Sequence, residues 1–150
     1  IIIMADSPDK WHPTSHETAD HSIPYSTGVA LMYGTITDEY YEGEYLHDKK
    51  LLDLVGRVKV VHSPEADRVE KEFNLCELEL VLKNGERKNV RVEYHRGHWK
   101  NPMTDAEMEE KFRLLARRQL SAARIDALLK QLWTLEDVTD IRALVELTRV

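Results

Sequence analysis

The sequence has little that could cross-link the chain or carry it through a membrane. Its 150 residues include a single cysteine, Cys76, so no internal disulfide can form and a reducing compartment, the cytoplasm, is expected. No stretch is long and apolar enough to predict a transmembrane helix. The few glycines form neither a phosphate-binding loop nor a Gly-x-Ser-x-Gly motif. Basic residues are scattered in a chain of net charge −6, which argues against a nucleic-acid surface.

What is present is typical of a folded globular domain. Hydrophobic residues make up 42% and charged residues 32% of the chain, enough to build one core. The opening run Ile1-Ile2-Ile3-Met4 does not resemble a signal peptide and is interpreted as the end of a strand. We therefore expect the chain to be a fragment of a longer protein, with a cloning remnant as the alternative.

A β-hairpin is the clearest structural prediction. Apolar and polar residues alternate over Cys76–Leu82 and again over Val90–Tyr94, and Asn84-Gly85 between them is a strong turn signal. The alternation predicts a buried face that includes Cys76, and a wet face on which Glu and Arg pair across the strands. Cys76 is therefore interpreted as a core residue and not as a nucleophile. A further strand is predicted at Val58–Val61.

Helices are predicted before and after this hairpin. Ser22 is a candidate N-cap, with Pro24 in the first turn, for a helix from about Ile23 to Tyr33 that stops at Gly34. Residues 5–19 are predicted to be loop. Other helices are predicted at about 38–42, 49–55, 105–120, 122–132 and 137–148, the last with Ile141, Leu144 and Val145 buried.

These elements predict an α+β fold, a small antiparallel sheet with a β-hairpin packed by helices and then a C-terminal all-helical segment. A composition shift near Asn101 divides the chain into an α+β part, residues 1–100, and a helical part, residues 101–150. The amphipathic C-terminal helices need apolar partners, either one another or a larger helical body.

The stretch Glu17–Tyr25 carries the side chains best suited to chemistry. Free N–H groups and the positive end of a helix dipole favour an anionic ligand near Asp20 and His21. Asp20 can fix the tautomer of the neighbouring imidazole and raise its basicity, as a general acid or base requires. The alternative is that both residues only cap a helix and bond to a nearby loop.

Three histidines, His12, His16 and His21, lie close together and raise the question of a metal site. Zinc-binding helices carry histidines four residues apart on one face, but His16 and His21 are five apart, which a helix separates by about 140°. Pro13 and Pro24 also favour loop in this segment. No metal is therefore expected, and His12 and His16 are interpreted as surface residues.

Several motifs resemble one enzyme family. The strings Ser7–Pro13 and Glu17–Tyr25, and later Gly97, Asn101–Asp105 and Lys111-Phe112, are similar in type and spacing to the MmgE/PrpD family. The resemblance extends from Ser7 to the last helix. Members are much longer, so the chain resembles their C-terminal third.

This resemblance implies a lyase that acts on small polycarboxylates without a metal or iron–sulfur cluster. The expected reaction is dehydration of 2-methylcitrate or a similar acid, and decarboxylation and epimerisation stay open within the family. His21 would transfer a proton or bind a carboxylate, Tyr25 would donate a hydrogen bond, and Asp20 would orient His21. Ser22 would bind substrate or only cap the helix.

The resemblance also implies partners. The site would lie between this α+β lid and an N-terminal helical domain of the same protein, so the chain alone should be inactive, and related enzymes suggest a homodimer. A different hypothesis is a non-catalytic docking module whose apolar helix faces form an interface. The cluster of Asp20, His21 and Tyr25 discriminates between them, because a docking module does not need it.

Overall fold

A computed structural model describes residues 4–69 and 74–149, which form the predicted α+β fold. The sheet is one antiparallel pair of strands. The α-helices are α1 His16–Asp20, α2 Ile23–Tyr33, α3 Lys49–Val55, α4 Pro64–Val69, α5 Asp105–Ala116, α6 Ala122–Leu132 and α7 Ile141–Thr148, and the strands are β1 Cys76–Val81 and β2 Arg87–Val92. Turns of 3-10 helix occupy Pro8–Trp11, Asp38–Tyr41, Gly43–His47 and Leu135–Asp137.

The chain divides into two compact units, Ile1–Asp67 and Arg68–Val150. The first unit is helical, and the second holds the hairpin and the last three α-helices. The predicted division into residues 1–100 and 101–150 concerned packing on a helical domain outside this chain, and it stays a prediction.

The core of the first unit forms where α2 packs on α3. Tyr25 and Val29 of α2 and Leu51 and Val55 of α3 are fully buried. The two helices approach closely at Gly28, where an added Cβ would lie 2.6 Å from Cγ2 of Val55. The absence of a side chain at Gly28 therefore sets the distance between the helices.

The prediction of loop over residues 5–19 is wrong in part. A 3-10 turn covers Pro8–Trp11, and α1 begins at Ser15, whose Oγ accepts a hydrogen bond of 3.3 Å from the amide of Thr18. Ala19 on this helix is fully buried. The cap at Ser15 and the burial of Ala19 thus stabilise a short helix that the polar composition of the segment did not predict.

The strand predicted at Val58–Val61 is also wrong, because no strand is formed there in the described part of the chain. The carbonyl of Val58 instead accepts a hydrogen bond of 2.9 Å from Nε1 of Trp11. A β-branched run without a neighbouring strand has no ladder to join.

The hairpin is confirmed in the second unit. Leu78 pairs with Val90 and Glu77 with Arg91, and Gly85 takes the positive φ of 85° that the turn requires. Arg91 Nη1 lies 2.8 Å from Glu77 Oε1, so the predicted cross-strand ion pair is present.

The predicted buried face of this hairpin is not buried among the described residues. Cys76 is exposed, and Val90 and Val92 are 53% and 40% exposed. The same error affects α7, where Ile141 and Val145 are 56% and 49% exposed. Alternation identifies the apolar side of an element, but burial depends on whether another element covers that side.

Helices α5 and α6 begin where their caps predicted. Thr104 and Glu107 form the capping box of α5, and Ser121 caps α6. Helix α5 ends at Ala116 rather than near Leu120. Ile125, Leu128 and Leu129 of α6 are buried, whereas Leu132 at its end is 39% exposed.

Candidate active site

The candidate site lies at the junction of α1 and α2. Helix α1 ends at Asp20, His21 is its C-cap with φ −93° and ψ 31°, and Ser22 is the N-cap of α2. Pro24 lies in the first turn of α2, where its missing N–H costs no hydrogen bond. One helix therefore stops and the next starts within three residues, and His21 is exposed at the bend.

Two acceptors surround one nitrogen of the His21 ring. Nδ1 lies 2.5 Å from Oδ1 of Asp20 and 3.1 Å from the carbonyl oxygen of Glu17. Because both oxygens can only accept from an imidazole, the ring proton belongs on Nδ1. Among the described residues Nε2 has no hydrogen-bond partner, so this nitrogen is the one that can meet a ligand.

The same contacts favour the charged ring. The pKa of His21 is raised above its ordinary value of 6.5, first by the hydrogen bond to Asp20, then by the charge of that carboxylate and by the carbonyl of Glu17. A histidine with a raised pKa is populated as imidazolium near neutral pH. In that form it can attract a carboxylate or give up a proton, and when neutral it can accept one.

Ser22 is placed differently, because it is fully buried. Its Oγ donates a hydrogen bond of 2.5 Å to the carbonyl of Lys10 and accepts one of 3.0 Å from the amide of Tyr25. These bonds attach the first loop to the start of α2. The Ser22 hydroxyl therefore has a structural role as a helix cap. Its predicted role in binding substrate stays a prediction.

Tyr25 is also fully buried. Its Oη donates a hydrogen bond of 2.7 Å to the carbonyl of Tyr40, and burial raises the pKa of the phenol to about 12. Within this unit Tyr25 and Ser22 therefore face the core, whereas Asp20 and His21 lie at the surface. A catalytic role for Tyr25 stays a prediction.

His16, interpreted from the sequence as a surface residue, is exposed and has acidic neighbours. Its Nδ1 lies 3.3 Å from Oε1 of Glu42, and its Nε2 lies 3.9 Å from Oδ2 of Asp20. The contact between His16 and Asp20 could have been predicted from their i,i+4 spacing if the segment had been interpreted as a helix. Over residues 4–69 and 74–149, no group of three or more His, Cys, Asp or Glu side chains is placed to hold a metal ion.

The described chain also lacks any helix that is both long enough and apolar enough to span a bilayer. The acid–imidazole contacts at the surface of the first unit include His21 with Asp20, His16 with Glu42, and His62 with Asp67, in which Nε2 lies 2.7 Å from Oδ2.

Comparison with known proteins gives consistent matches over most of the chain. The MmgE/PrpD C-terminal domain model matches residues 1–135. Cis-aconitate decarboxylase of Homo sapiens is 30% identical over 139 residues, which are 91% of this chain and 28% of that protein. The Mus musculus enzyme of the same name is 27% identical over 137 residues, again 91% of this chain and 28% of its own length.

A fungal protein is also similar. Cis-aconitate decarboxylase-like protein oryM of Aspergillus oryzae is 28% identical over 125 residues, 82% of this chain and 25% of that protein. The matched part thus spans about a quarter of the length of each of these relatives.

Proposed function

The chain belongs to the MmgE/PrpD family, and we propose that it forms the C-terminal part of a lyase that acts on a small polycarboxylate. The observation that carries the proposal is the hydrogen bond between His21 and Asp20, which leaves Nε2 of an exposed, readily protonated imidazole open to a ligand. An imidazolium suits a substrate with several carboxylates, because it can pair with one of them or protonate the carbon chain.

Decarboxylation of cis-aconitate is the first reaction to test. It is the reaction named for the human and mouse relatives, which match over 91% of this chain. In that reaction the bond between a carboxylate carbon and the chain breaks and CO₂ leaves. The electron pair left behind takes up one proton, so one CO₂ is released and one proton consumed. His21 in its imidazolium form can deliver that proton from Nε2.

Dehydration of 2-methylcitrate is the second candidate, predicted from the motif around Asp20 and His21. There a base removes a proton from the carbon next to a carboxylate, and the hydroxyl group leaves as water after it gains a proton. A neutral His21 would accept the first proton, or an imidazolium would supply the second. Both reactions use the same class of substrate and the same nitrogen atom.

The site needs groups beyond those of this chain. Because the chain spans about a quarter of the length of these relatives, we infer that an N-terminal helical domain supplies further cationic and acid–base residues. The 150-residue chain by itself is then inactive. A homodimer, a cytoplasmic location and catalysis without a metal are parts of the same proposal.

The proposal is tested with two assays on two proteins. CO₂ release from cis-aconitate and the absorbance of the double bond formed from 2-methylcitrate are followed with this chain alone and with the longest protein that contains it. Turnover of one acid by the longer protein only is expected. Activity in the 150-residue chain would contradict the two-domain site, and no turnover of either acid would favour the docking module.

A further inference from the structure

A second cluster of charged and aromatic side chains lies in the second unit, between β2 and α5. An open cleft of about 440 Å³ is formed where the chain leaves β2 and turns toward α5. Its lining residues are Arg91, Val92, Glu93, Tyr94, Lys100 and Asn101.

Lys100 is the cation of this cleft that lies beside aromatic rings. Its Nζ donates a hydrogen bond of 2.9 Å to Oη of Tyr94 and lies 4.7 Å and 5.2 Å from the ring centroids of Tyr94 and Trp99. In the part of the chain that the structure describes, no carboxylate forms an ion pair with this ammonium. Lys100 is thus a cation held by two aromatic rings, and its charge is not neutralised by an acid.

The guanidinium of Arg91, the other cation of the cleft, is already paired with carboxylates. Arg91 lies 2.8 Å from Glu77 and 3.4 Å from Glu93, so its guanidinium has acidic partners on both sides. Glu93 is the carboxylate of the cleft, and it is directed to Arg91. The two cations and two carboxylates balance overall, and Lys100 is the cation of the cleft that forms no ion pair among the described residues, so its ammonium is the one open to an anion.

The turn that carries Lys100 is held by its own hydrogen bonds. The amide of Gly97 bonds to the carbonyl of Asn101 at 2.9 Å, and the amide of Lys100 bonds to Nδ1 of His98 at 3.1 Å. Asn101 Nδ2 donates to the carbonyl of Tyr94 at 2.9 Å. Gly97 has φ 95°, a conformation that favours glycine. A ligand would meet an ordered turn, so little entropy is lost on binding.

We propose that this cleft binds a small multivalent oxyanion, a polycarboxylate or a phosphate. Nζ of Lys100 is the charged contact, and Tyr94 is a positioning residue that holds the ammonium at the cleft. The site lies entirely within the second unit and does not use His21, so it stands independently of the function proposed above.

The test is calorimetric titration of the chain with citrate and, separately, with inorganic phosphate at low ionic strength. Saturable binding of one anion is expected, together with shifts in the amide resonances of residues 98–101. The Lys100→Gln variant loses one charge-assisted contact, so its dissociation constant should rise about tenfold. The Lys100→Arg variant keeps the positive charge and should retain most of the affinity. The Tyr94→Phe variant should raise the dissociation constant less than Lys100→Gln does, because the ammonium itself remains.

The matched control is Lys88→Gln. Lys88 is an exposed lysine of β2 whose Nζ lies 3.7 Å from Glu86, and its removal is expected to leave the dissociation constant unchanged. Tighter binding of citrate assigns the site to polycarboxylates, and tighter binding of phosphate assigns it to phosphates. Absence of saturable binding for both anions, or equal affinity in the wild type and a folded Lys100→Gln variant, overturns the proposal.

Discussion

Nδ1 of His21 donates a hydrogen bond of 2.5 Å to Oδ1 of Asp20, its immediate neighbour in the chain. This geometry depends on the bend between α1 and α2, where His21 leaves the helical path directly after Asp20. The bond orients the ring and directs its chemistry to Nε2.

Replacing Asp20 by Asn is expected to lower the pKa of His21 toward its ordinary value of 6.5, because the carboxylate that favours the imidazolium is lost. The stabilising contact is fully present below the ordinary pKa and is lost as the pH rises through the raised value. NMR titration of the His21 ring protons measures the shift. Glu42→Gln is the control, because Glu42 contacts His16. An unchanged pKa in Asp20→Asn would contradict the assigned bond.

Replacing His21 by Gln is expected to lower kcat about 10²-fold in the longest protein that contains this chain, if Nε2 transfers a proton. A rise in KM with an unchanged kcat would show instead that His21 only binds a carboxylate. Steady-state kinetics on the better substrate separates these outcomes. His12→Gln is the control at an exposed histidine outside the pair. If neither constant changes, His21 has no part in the reaction.

Replacing Tyr25 by Phe is expected to lower the free energy of unfolding by about 1–3 kcal/mol, because the partly buried carbonyl of Tyr40 loses its donor. Urea denaturation of the chain measures the change. Tyr45→Phe is the control, since no hydrogen bond of its hydroxyl is seen among the described residues, and it should change stability by less than about 0.5 kcal/mol. Equal effects of the two substitutions would argue against a structural role for the Tyr25 hydroxyl.

Replacing Gly28 by Ala is expected to destabilise the first unit by about 1–3 kcal/mol, because the new Cβ would lie 2.6 Å from Cγ2 of Val55. The clash outweighs the roughly 1 kcal/mol by which Ala favours a helix over Gly. In the double variant Gly28→Ala, Val55→Ala the loss should be smaller than the sum of the single losses. Denaturant unfolding of the wild type, the two single variants and the double variant gives the double-mutant cycle. Additive losses of stability would mean that the two residues do not touch.

Replacing Glu107 by Gln is expected to reduce the acid sensitivity of the second unit. The hydrogen bonds from Arg96 and Thr104 lower the pKa of Glu107 from 4.5 to about 2. The ionised carboxylate therefore contributes stability above its ordinary pKa, and this contribution is lost as the pH falls from about 4.5 toward 2. The helical circular dichroism signal of the chain, followed between these pH values, compares the variant with the wild type. Glu110→Gln, another exposed glutamate of α5, is the control and should leave the acid transition in place.

The local elements could be predicted because their determinants lie within a few residues. Ser22 with Pro24 sets the start of α2, Gly34 its end, and Thr104 with Glu107 the start of α5. Asn84-Gly85 sets the turn and hence the register of the hairpin. The helix at His16–Asp20 was missed because its five residues have a weak pattern, and part of its stability comes from the burial of Ala19.

The candidate site could be predicted only in part. The motif identified Asp20, His21, Ser22 and Tyr25 together, and the structure separates them into a surface pair, with Asp20 partly buried and His21 exposed, and two buried residues. The cleft at Lys100 was not predicted as a site, because the aromatic faces that hold its ammonium meet only after β2 and the following turn are folded.

The family, the helix caps, the hairpin register and the pairing of Asp20 with His21 could all be predicted from the sequence, since each depends on neighbouring residues or on a recognisable string. Which side chains are buried depends instead on the folded arrangement of the elements. Val29 is enclosed because Val55, far along the chain, packs against the same helix, whereas Val92 is exposed because no described element covers its face of the sheet. Burial depends on contacts between elements that are distant in sequence, and a local pattern of apolar residues does not predict those contacts.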